Sequence, residues 1–411
     1  MKKFVIYICI GFLSSFSWLQ AQCDLLDRLL THDFENVQIV NAPSGLEVHY
    51  ENRRYRFEAD ALYHVLREIR LSNCLSDEIA VVIYNKGVPV SEVVTTKTEL
   101  DQLYSQNKPY AVWAKEARFN FTKRKRPKEG GPTNRSYLKS DIATGFKIDY
   151  LLGNFDNPIR WTPTLTPTLQ STLFKGMTLN SRYHVVLFDD LYGWEVSRLH
   201  SAYLSYNAKL PLGIFARVSG GYFFNTQFGY EAHLTKLFMQ DRFRLDISAS
   251  NTENRFITTP PTRKVLEADH FSYTAKLTYR YRPFMTDISL QYGKYLFDDT
   301  GYTLFVSRQF DEVFIGFFMR DTDKTLIGSY GKEYEVNYGF FFKTPLGTKK
   351  HFKTGKPGNI RLKTQEQFFL DYNYTGITDT ATLLEVPNTI IHELWEYYPS
   401  TLEKGLASHF K

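Results

Sequence analysis

The stretch Phe271-Ser-Tyr-Thr-Ala-Lys-Leu-Thr-Tyr-Arg-Tyr281 decides how the larger part of this chain folds. Phe271, Tyr273, Ala275, Leu277, Tyr279 and Tyr281 alternate with Ser272, Thr274, Lys276, Thr278 and Arg280. Successive side chains of a strand point to opposite faces. One face is therefore apolar and aromatic, the other polar and charged. The pattern recurs on both sides. Phe243, Leu245, Ile247 and Ala249 alternate with Arg244, Asp246, Ser248 and Ser250. Phe228, Tyr230, Ala232 and Leu234 alternate with Gly229, Glu231, His233 and Thr235. Tyr334, Val336, Tyr338, Phe340 and Phe342 alternate with Glu335, Asn337 and Gly339, and Phe341 is the exception to polarity. The period predicts strands near 142–150, 168–175, 179–189, 198–210, 213–222, 227–237, 242–250, 271–281, 286–296, 301–309, 312–321, 333–343 and 362–374, with another near 380–386. At Tyr292-Gly293-Lys294 the parity blurs, as at a bulge or a close backbone approach.

Two architectures fit such strands. A sandwich turns its apolar faces inward; a transmembrane barrel turns them outward. Three features favour the barrel. The strands run roughly 8–13 residues, against about 5–6 in soluble proteins and about 9–11 in membranes. Charges of both signs, such as Lys276, Arg280, Asp246 and Glu335, sit at strand centres. The connections alternate in length: 151–167, 190–197, 223–226, 251–270, 297–300 and 322–332 against 176–178, 211–212, 238–241, 282–285 and 310–311. The basic segment 344–361 breaks that alternation; a periplasmic excursion or a plug would fit it. The first strand starts on the short-turn side, so whatever precedes it is expected to be periplasmic. Tyr222-Phe-Phe224, Tyr279, Tyr281 and Phe340-Phe-Phe342 suit interfacial girdles.

Composition agrees. Aromatic residues make up 16% of the 411, with 33 Phe and 28 Tyr, types that favour strands and lipid–water boundaries. With 43% hydrophobic and 23% charged residues, a mostly disordered chain and a polytopic helical membrane protein are excluded. The formal charge of +6 is too small to argue for nucleic acid.

Lys2 and Lys3 before the apolar run Phe4–Leu19 predict a secretory signal peptide over 1–21, with a retained anchor as the alternative. Its removal discards Cys9 and leaves Cys23 and Cys74, free to form one disulfide in an oxidising compartment. That bridge would be structural, because no Cys-X-X-Cys exists. Lipidation of Cys23 is the other use of that residue, although Gln22 precedes it.

Residues 22–121 read as a small α+β domain. Leu25, Leu26, Leu29 and Leu30 have helical spacing, as do apolar residues from Phe57 to Ile69. Val37–Val40 with Leu46–Tyr50, and Glu78–Tyr84 with Val88–Val94, read as strand pairs. Leu100–Leu103 looks helical and Tyr110–Phe121 extended. A basic linker, 122–141, carries Lys123-Arg-Lys-Arg-Pro-Lys128, a solvated run or a contact for anionic lipid or acidic glycan. The barrel spans 142–386, and a helical tail 387–411, with Ile390, Ile391, Leu394, Trp395, Tyr398, Leu402 and Leu406 at helical positions.

Leu290-Gln-Tyr-Gly-Lys-Tyr-Leu-Phe-Asp-Asp-Thr-Gly-Tyr-Thr-Leu-Phe-Val-Ser-Arg-Gln-Phe310 resembles the YjbH family of exopolysaccharide-associated outer-membrane proteins. Gly316-Phe-Phe-Met-Arg320, Tyr330-Gly-Lys332, Tyr338-Gly-Phe-Phe-Phe-Lys-Thr-Pro-Leu346, Asn52-Arg-Arg-Tyr55, Asn85-Lys-Gly-Val-Pro-Val90 and Phe174-Lys-Gly-Met177 are similar too. The resemblance implies an outer-membrane β-barrel linked to assembly or export of a surface polysaccharide or capsule. It carries over no catalytic residue.

Catalytic motifs are sparse. No phosphate-binding loop, dinucleotide fingerprint or nucleophile elbow is present, and His392-Glu-Leu-Trp-Glu396 lacks the second His of a zinc protease. Asp189-Asp190 and Asp298-Asp299 read as turn residues before cation ligands. His200, Ser201 and His233 are the nearest to a base and nucleophile, but neighbours 200 and 201 face opposite sides of a strand.

The sequence thus predicts an all-β transmembrane barrel of about 12–14 antiparallel strands, preceded by a small α+β periplasmic domain, in the outer membrane of a Gram-negative cell. Expected partners are outer-membrane lipid, polysaccharide and periplasmic export components. No nucleic acid, cofactor or enzymatic activity is expected. Glu231, Arg244, Asp246, Lys276, Arg280 and Glu335 are the candidate lumen- or glycan-facing residues; filling the lumen with salt bridges is their alternative role. A general pore or scaffold, or an outer-membrane lipid or glycan hydrolase, would be the other functions.

Overall fold

A computed structural model describes residues 23–42, 45–74, 76–124, 127, 131–152, 158–190, 197–223, 227–254, 270–296, 299–327, 333–345, 349–354, 360–362, 367–373 and 390–410. The expected signal peptide and the strand near 380–386 lie outside them.

The N-terminal unit is a five-stranded sheet with helices. Its elements are α1 (Leu25–Thr31), β1 (Glu35–Ala42), β2 (Gly45–Glu51), α2 (Glu58–Leu71), β3 (Glu78–Asn85), β4 (Val88–Thr96), α3 (Lys97–Tyr104), α4 (Tyr110–Glu116) and β5 (Arg118–Phe121). Sheet order follows the chain, and β2–β3 is the parallel pair. α1 buries Leu25 and Leu29, four residues apart on one face, and α2 buries Leu62, Val65, Leu66 and Ile69. Thr96 caps α3 in a reciprocal box: Glu99 N–H donates to Thr96 Oγ1 (3.1 Å) and Thr96 N–H to Glu99 Oε2 (2.9 Å). The expectation of an extended 110–121 is corrected. Tyr110–Glu116 is helical after Pro109, with Trp113 fully buried, and only Arg118–Phe121 is a strand. Good helix formers (Ala111, Ala114, Lys115, Glu116) outweigh the aromatics there. Cys23 and Cys74 are joined, with Cα atoms 4.9 Å apart.

The C-terminal segment returns to this unit. α5 (Ile390–Glu393) and α6 (Pro399–Ala407) contribute Ile391, Leu394, Leu402 and Leu406 to the same core as Leu62 and Leu66. Gly405 lets α6 lie close to α2: a Cβ there would meet the Ala59 Cβ at 2.5 Å and a Phe57 ring carbon at 2.7 Å.

The second sheet dominates. β6 (Lys139–Leu152), β7 (Ile159–Phe174), β8 (Met177–Val186), β9 (Arg198–Lys209), β10 (Ile214–Tyr222), β11 (Gln227–Phe238), β12 (Phe243–Asn254), β13 (His270–Tyr281), β14 (Thr286–Lys294), β15 (Thr300–Phe310), β16 (Val313–Ile327) and β17 (Glu333–Pro345) form one antiparallel meander. β18 (Phe352–Thr354), β19 (Ile360–Leu362) and β20 (Gln367–Asn373) complete a 15-stranded sheet, ordered β18-β19-β6 through β17-β20. The sheet curls until β20 lies near β6. Among the described residues no ladder joins these two, so ladder closure is not part of the observed fold.

Several local expectations change. β7 starts at Ile159, inside the expected loop 151–167, although it holds Pro163 and Pro167. The pairs to β8 pass from Leu165↔Val185 to Thr168↔Arg182, so Pro167 stands where no N–H is needed. Gly293 is no bulge. The ladders run through it unshifted to Thr274 and Gly301, and a Cβ would lie 2.2 Å from the Tyr273 carbonyl oxygen. Segment 344–361 runs partly along the small domain: His351 N–H donates to the Arg54 carbonyl (2.8 Å) and Arg56 N–H to the Lys349 carbonyl (2.9 Å).

Every short turn of the meander between β7 and β16 touches the small domain or the tail. Gly176 N–H donates to the Lys86 carbonyl (2.7 Å), and Lys209 Nζ to the Thr122 carbonyl. Asp241 accepts from Ser400 N–H (2.9 Å), the Pro283 carbonyl from Lys404 Nζ (2.9 Å), and Glu312 from Arg56 (2.6 and 2.8 Å). Buried charges join β6 to the same unit: Arg53 pairs with Glu35 (3.0 Å) and Asp141 (2.6 Å), and Lys139 with Glu35 (3.1 Å).

Gly405→Val is expected to undock the tail, because the atoms it meets belong to a packed helix. Limited proteolysis of the full chain should then cleave near 390–410 while the large sheet stays protected. Glu58 gives a second test. It is fully buried, accepts from Tyr50 Oη (2.7 Å) and Asn52 Nδ2 (3.2 Å), and burial pushes its carboxyl up to about 8. A raised carboxyl pKa costs stability as pH rises from the ordinary value toward the folded one. Wild-type melting temperature should fall between about pH 5 and 8, and Glu58→Gln should flatten that fall by a few degrees, read by thermal scans against pH.

Candidate functional site

Exposure alternates along the meander in the reverse of a soluble sandwich. Tyr273, Leu277, Ile247, Leu234, Val218 and Phe340 are exposed, 38–59% being typical of this face, as in Leu204 at 38% and Tyr230 at 59%. The opposite face buries Ser205, Arg217, Ser219, Glu231, Thr235, Asp246, Ser250, Ser272 and Arg280. Its polar groups partner across strands. Ser205 meets Ser219 (2.8 Å), Ser250 meets Ser272 (2.6 Å), Ser248 meets Thr274 (2.7 Å) and Thr278 meets Ser289 (2.9 Å). Tyr279 and Tyr281 lie outward near the short turns. Tyr222 and Phe223 do not suit the girdle expected of them: both are buried, and Phe223 stacks on Tyr203 at 5.3 Å.

The predicted residues fall into a chain of charges on the polar face. Arg217 donates to Glu231 through Nε (3.1 Å) and Nη2 (2.5 Å). His233 lies between Glu231 (3.6 Å) and Asp246 (3.1 Å). Asp246 also accepts from Thr235 Oγ1 (2.6 Å) and pairs with Arg244 (2.7 Å). Arg244 Nη1 donates to Tyr398 Oη (2.9 Å), tying the sheet to the tail. Arg280 is 2% exposed; it pairs with Asp287 (2.8 Å), donates to Gln309 (2.7 Å) and Thr401 (3.1 Å), and stands 4.7 Å over the Tyr398 ring. Lys276 Nζ sits 4.8 Å over the Phe305 ring. Glu335 lies in β17, its side chain outside the described ones.

Arg244, Asp246 and Lys276 come together in a cavity of about 360 Å³ between the polar face and the tail. Arg280 lies next to it through Asp287, while Glu231 connects only through His233. The remaining wall escaped sequence reasoning: Thr278, Asp287, Ser289, Ser307 and Arg320, with the rings of Phe305, Phe318, Phe341, Trp395 and Tyr398. One signal was available. Phe341 breaks the polarity of its strand because it turns inward here, and Gly316 opposite makes room for it: a Cβ at 316 would meet the Phe341 ring at 2.4 Å.

The hydrolase candidates are placed separately from one another. His200 lies against His184, ring centres 3.9 Å apart, Ser201 is buried on the other strand face, and His233 is enclosed by Arg217, Glu231 and Asp246. Asp189 accepts from Thr162 (2.7 Å). Glu393, in the motif after His392, pairs with Lys86 (2.8 Å). Among the described residues no group of three His, Cys, Asp or Glu could hold a metal ion.

These features define a class: a long-stranded antiparallel sheet with an apolar exterior and a hydrogen-bonded polar interior. Residues 192–364 match the model of the YjbH family, described as exopolysaccharide biosynthesis protein YbjH. No curated protein matches. Among solved structures, in-vitro folded OmpT, an outer membrane protein of Vibrio cholerae, is similar at 9% identity and a TM-score of 0.27, over 57% of this chain and 97% of that one. Its trimer form gives 9% and 0.26, over 57% and 99%. Those scores are too low to bear on the shape of this chain. Among the described residues no helix is long and apolar enough to cross a membrane, which says nothing of strands.

Asp246→Ala should leave Arg244 half-buried with Tyr398 as its remaining partner and remove the acceptor of His233 and Thr235. A loss of about 3 kcal/mol is expected, read as a lower denaturant midpoint for the detergent-folded protein. Asp246→Asn, which keeps an acceptor, should lose less.

Proposed function

We propose that this chain is a non-enzymatic outer-membrane β-barrel that serves biosynthesis or export of a surface exopolysaccharide. One observation carries the location: along the meander the large apolar side chains face out and the charges face in. A contiguous apolar exterior of that extent is unfavourable in water and favourable in lipid. Strand lengths of 9 to 16 residues suit a hydrocarbon core. In this reading the curled sheet closes through β20 and β6, and the polar face lines a lumen.

The small domain and the tail cap the short-turn mouth, the periplasmic side of such barrels. There they are placed to meet export components, with a disulfide suited to an oxidising compartment. The family match over 192–364 supports the polysaccharide role. Among the described residues of this face, Glu231, Asp246 and Asp287 are each held by an arginine, which supports a structural rather than a catalytic duty for them.

Fractionation tests the location. The protein should pellet with outer membranes, need detergent for release, and migrate differently on gels before and after heating. Recovery in a soluble periplasmic extract would overturn the reading. A deletion strain should lose surface polysaccharide; unchanged polysaccharide with a membrane-bound protein would leave a general pore in its place.

A further inference from the structure

We infer that the cavity between the polar face and the tail binds an acidic saccharide unit, with the Lys276 ammonium as partner of its carboxylate. The inference rests on the export reading above and names the substrate class of that site.

Charge balance carries it. The two carboxylates of the wall, Asp246 and Asp287, are each held by an arginine, Arg244 at 2.7 Å and Arg280 at 2.8 Å. Among the described residues no carboxylate comes within 4.0 Å of Lys276 Nζ, which stands over the face of Phe305; Asp246, opposite it on β12, is engaged by Arg244 and Thr235 instead. An ammonium drawn out of bulk water without an anion is costly, and a charge-assisted bond relieves that cost. Among the described wall residues three basic groups, Arg244, Lys276 and Arg320, meet two carboxylates, Asp246 and Asp287, so the cavity leans positive.

The rest of the wall has the chemistry of a sugar site. Phe341 and Trp395 line the wall with aromatic rings, the kind of apolar surface that meets the C–H side of a pyranose ring. Thr278, Ser289 and Ser307 supply hydroxyls; Thr278 and Ser289 share one bond, and each keeps spare capacity. A volume of about 360 Å³ is within the roughly 300–1,000 Å³ of ligand sites. A lipid headgroup is the other common anion in this setting. The cavity lies on the face opposite the exposed apolar side chains, with the strands between, so lipid does not reach it.

The test uses the full chain folded in detergent, its folding checked by the heat-dependent gel shift. Calorimetric titration compares trigalacturonate, maltotriose and inorganic phosphate. Trigalacturonate should bind at least about tenfold more tightly than maltotriose, Lys276→Met should remove that preference, and Lys276→Arg should keep most of it. Trp395→Leu should weaken both sugars and leave phosphate unchanged. Equal binding of the two sugars, loss of trigalacturonate to phosphate at equal concentration, or no binding by the folded wild type would each overturn the inference. Those results leave the export reading standing when the protein still fractionates with outer membranes and the deletion strain lacks polysaccharide. A soluble protein would remove that reading first.

Discussion

Cross-strand pairing of polar side chains on one face of the large sheet is the constraint on which the rest depends. A sheet can turn its apolar face outward only if the groups left inside are mutually satisfied. Hydroxyl meets hydroxyl from β9–β10 to β13–β14, and arginine meets carboxylate at Arg217–Glu231 and Arg280–Asp287. None of these pairs needs to be worth much alone. Each prevents an orphaned polar group, and the cost of an orphan exceeds the gain of a pair. Glu231, Arg244, Asp246 and Arg280, glycan-facing candidates of the sequence, are thus, first, structural members of this lattice. Lys276 differs from them in having, among the described residues, no carboxylate within 4.0 Å of its ammonium.

The same economy explains the joint between the two sheets. Meander turns would otherwise present free polar groups at one end of the sheet. Instead the Gly176 N–H and the Pro283 carbonyl bond to Lys86 and Lys404, and the Asp241 and Glu312 carboxylates accept from Ser400 and Arg56. The tail belongs to both partners. Leu402 and Leu406 complete the small domain's core, while Tyr398 takes the hydrogen bond of Arg244 and lies under Arg280.

What the sequence disclosed follows from the range of each interaction. Alternation is local, so the run 271–281 revealed both its strand and its two faces, and a hairpin pair such as Arg280–Asp287 lies seven positions apart. Pro163 and Pro167 hid the start of β7, because a missing N–H argues against a strand unless the register leaves that position unpaired. Tyr110, Trp113 and Phe119 suggested an extended segment where local propensity and Pro109 made a helix. The cavity was half legible. Arg244, Asp246 and Lys276 stood out as charges at strand centres, but Trp395 and Tyr398 meet them across some 120 to 150 positions, as in the Arg244–Tyr398 separation of 154. No periodicity encodes that meeting.

The exception to the alternation was its most informative position. An inward phenylalanine on a polar face sacrifices a hydrogen-bonding site, and Phe341 does so opposite a glycine that gives it room. Filling a void would require only bulk, and a leucine would serve. Beside Phe305, Phe318, Trp395 and Tyr398 the ring instead extends an aromatic wall around the Lys276 ammonium. Aromatic rings, hydroxyls and an excess of basic over acidic groups among the described wall residues together suit a ring-shaped, polyhydroxylated, acidic ligand better than they suit a stiffened interior, where charges come in pairs as they do along Arg217, Glu231, Asp246 and Arg244.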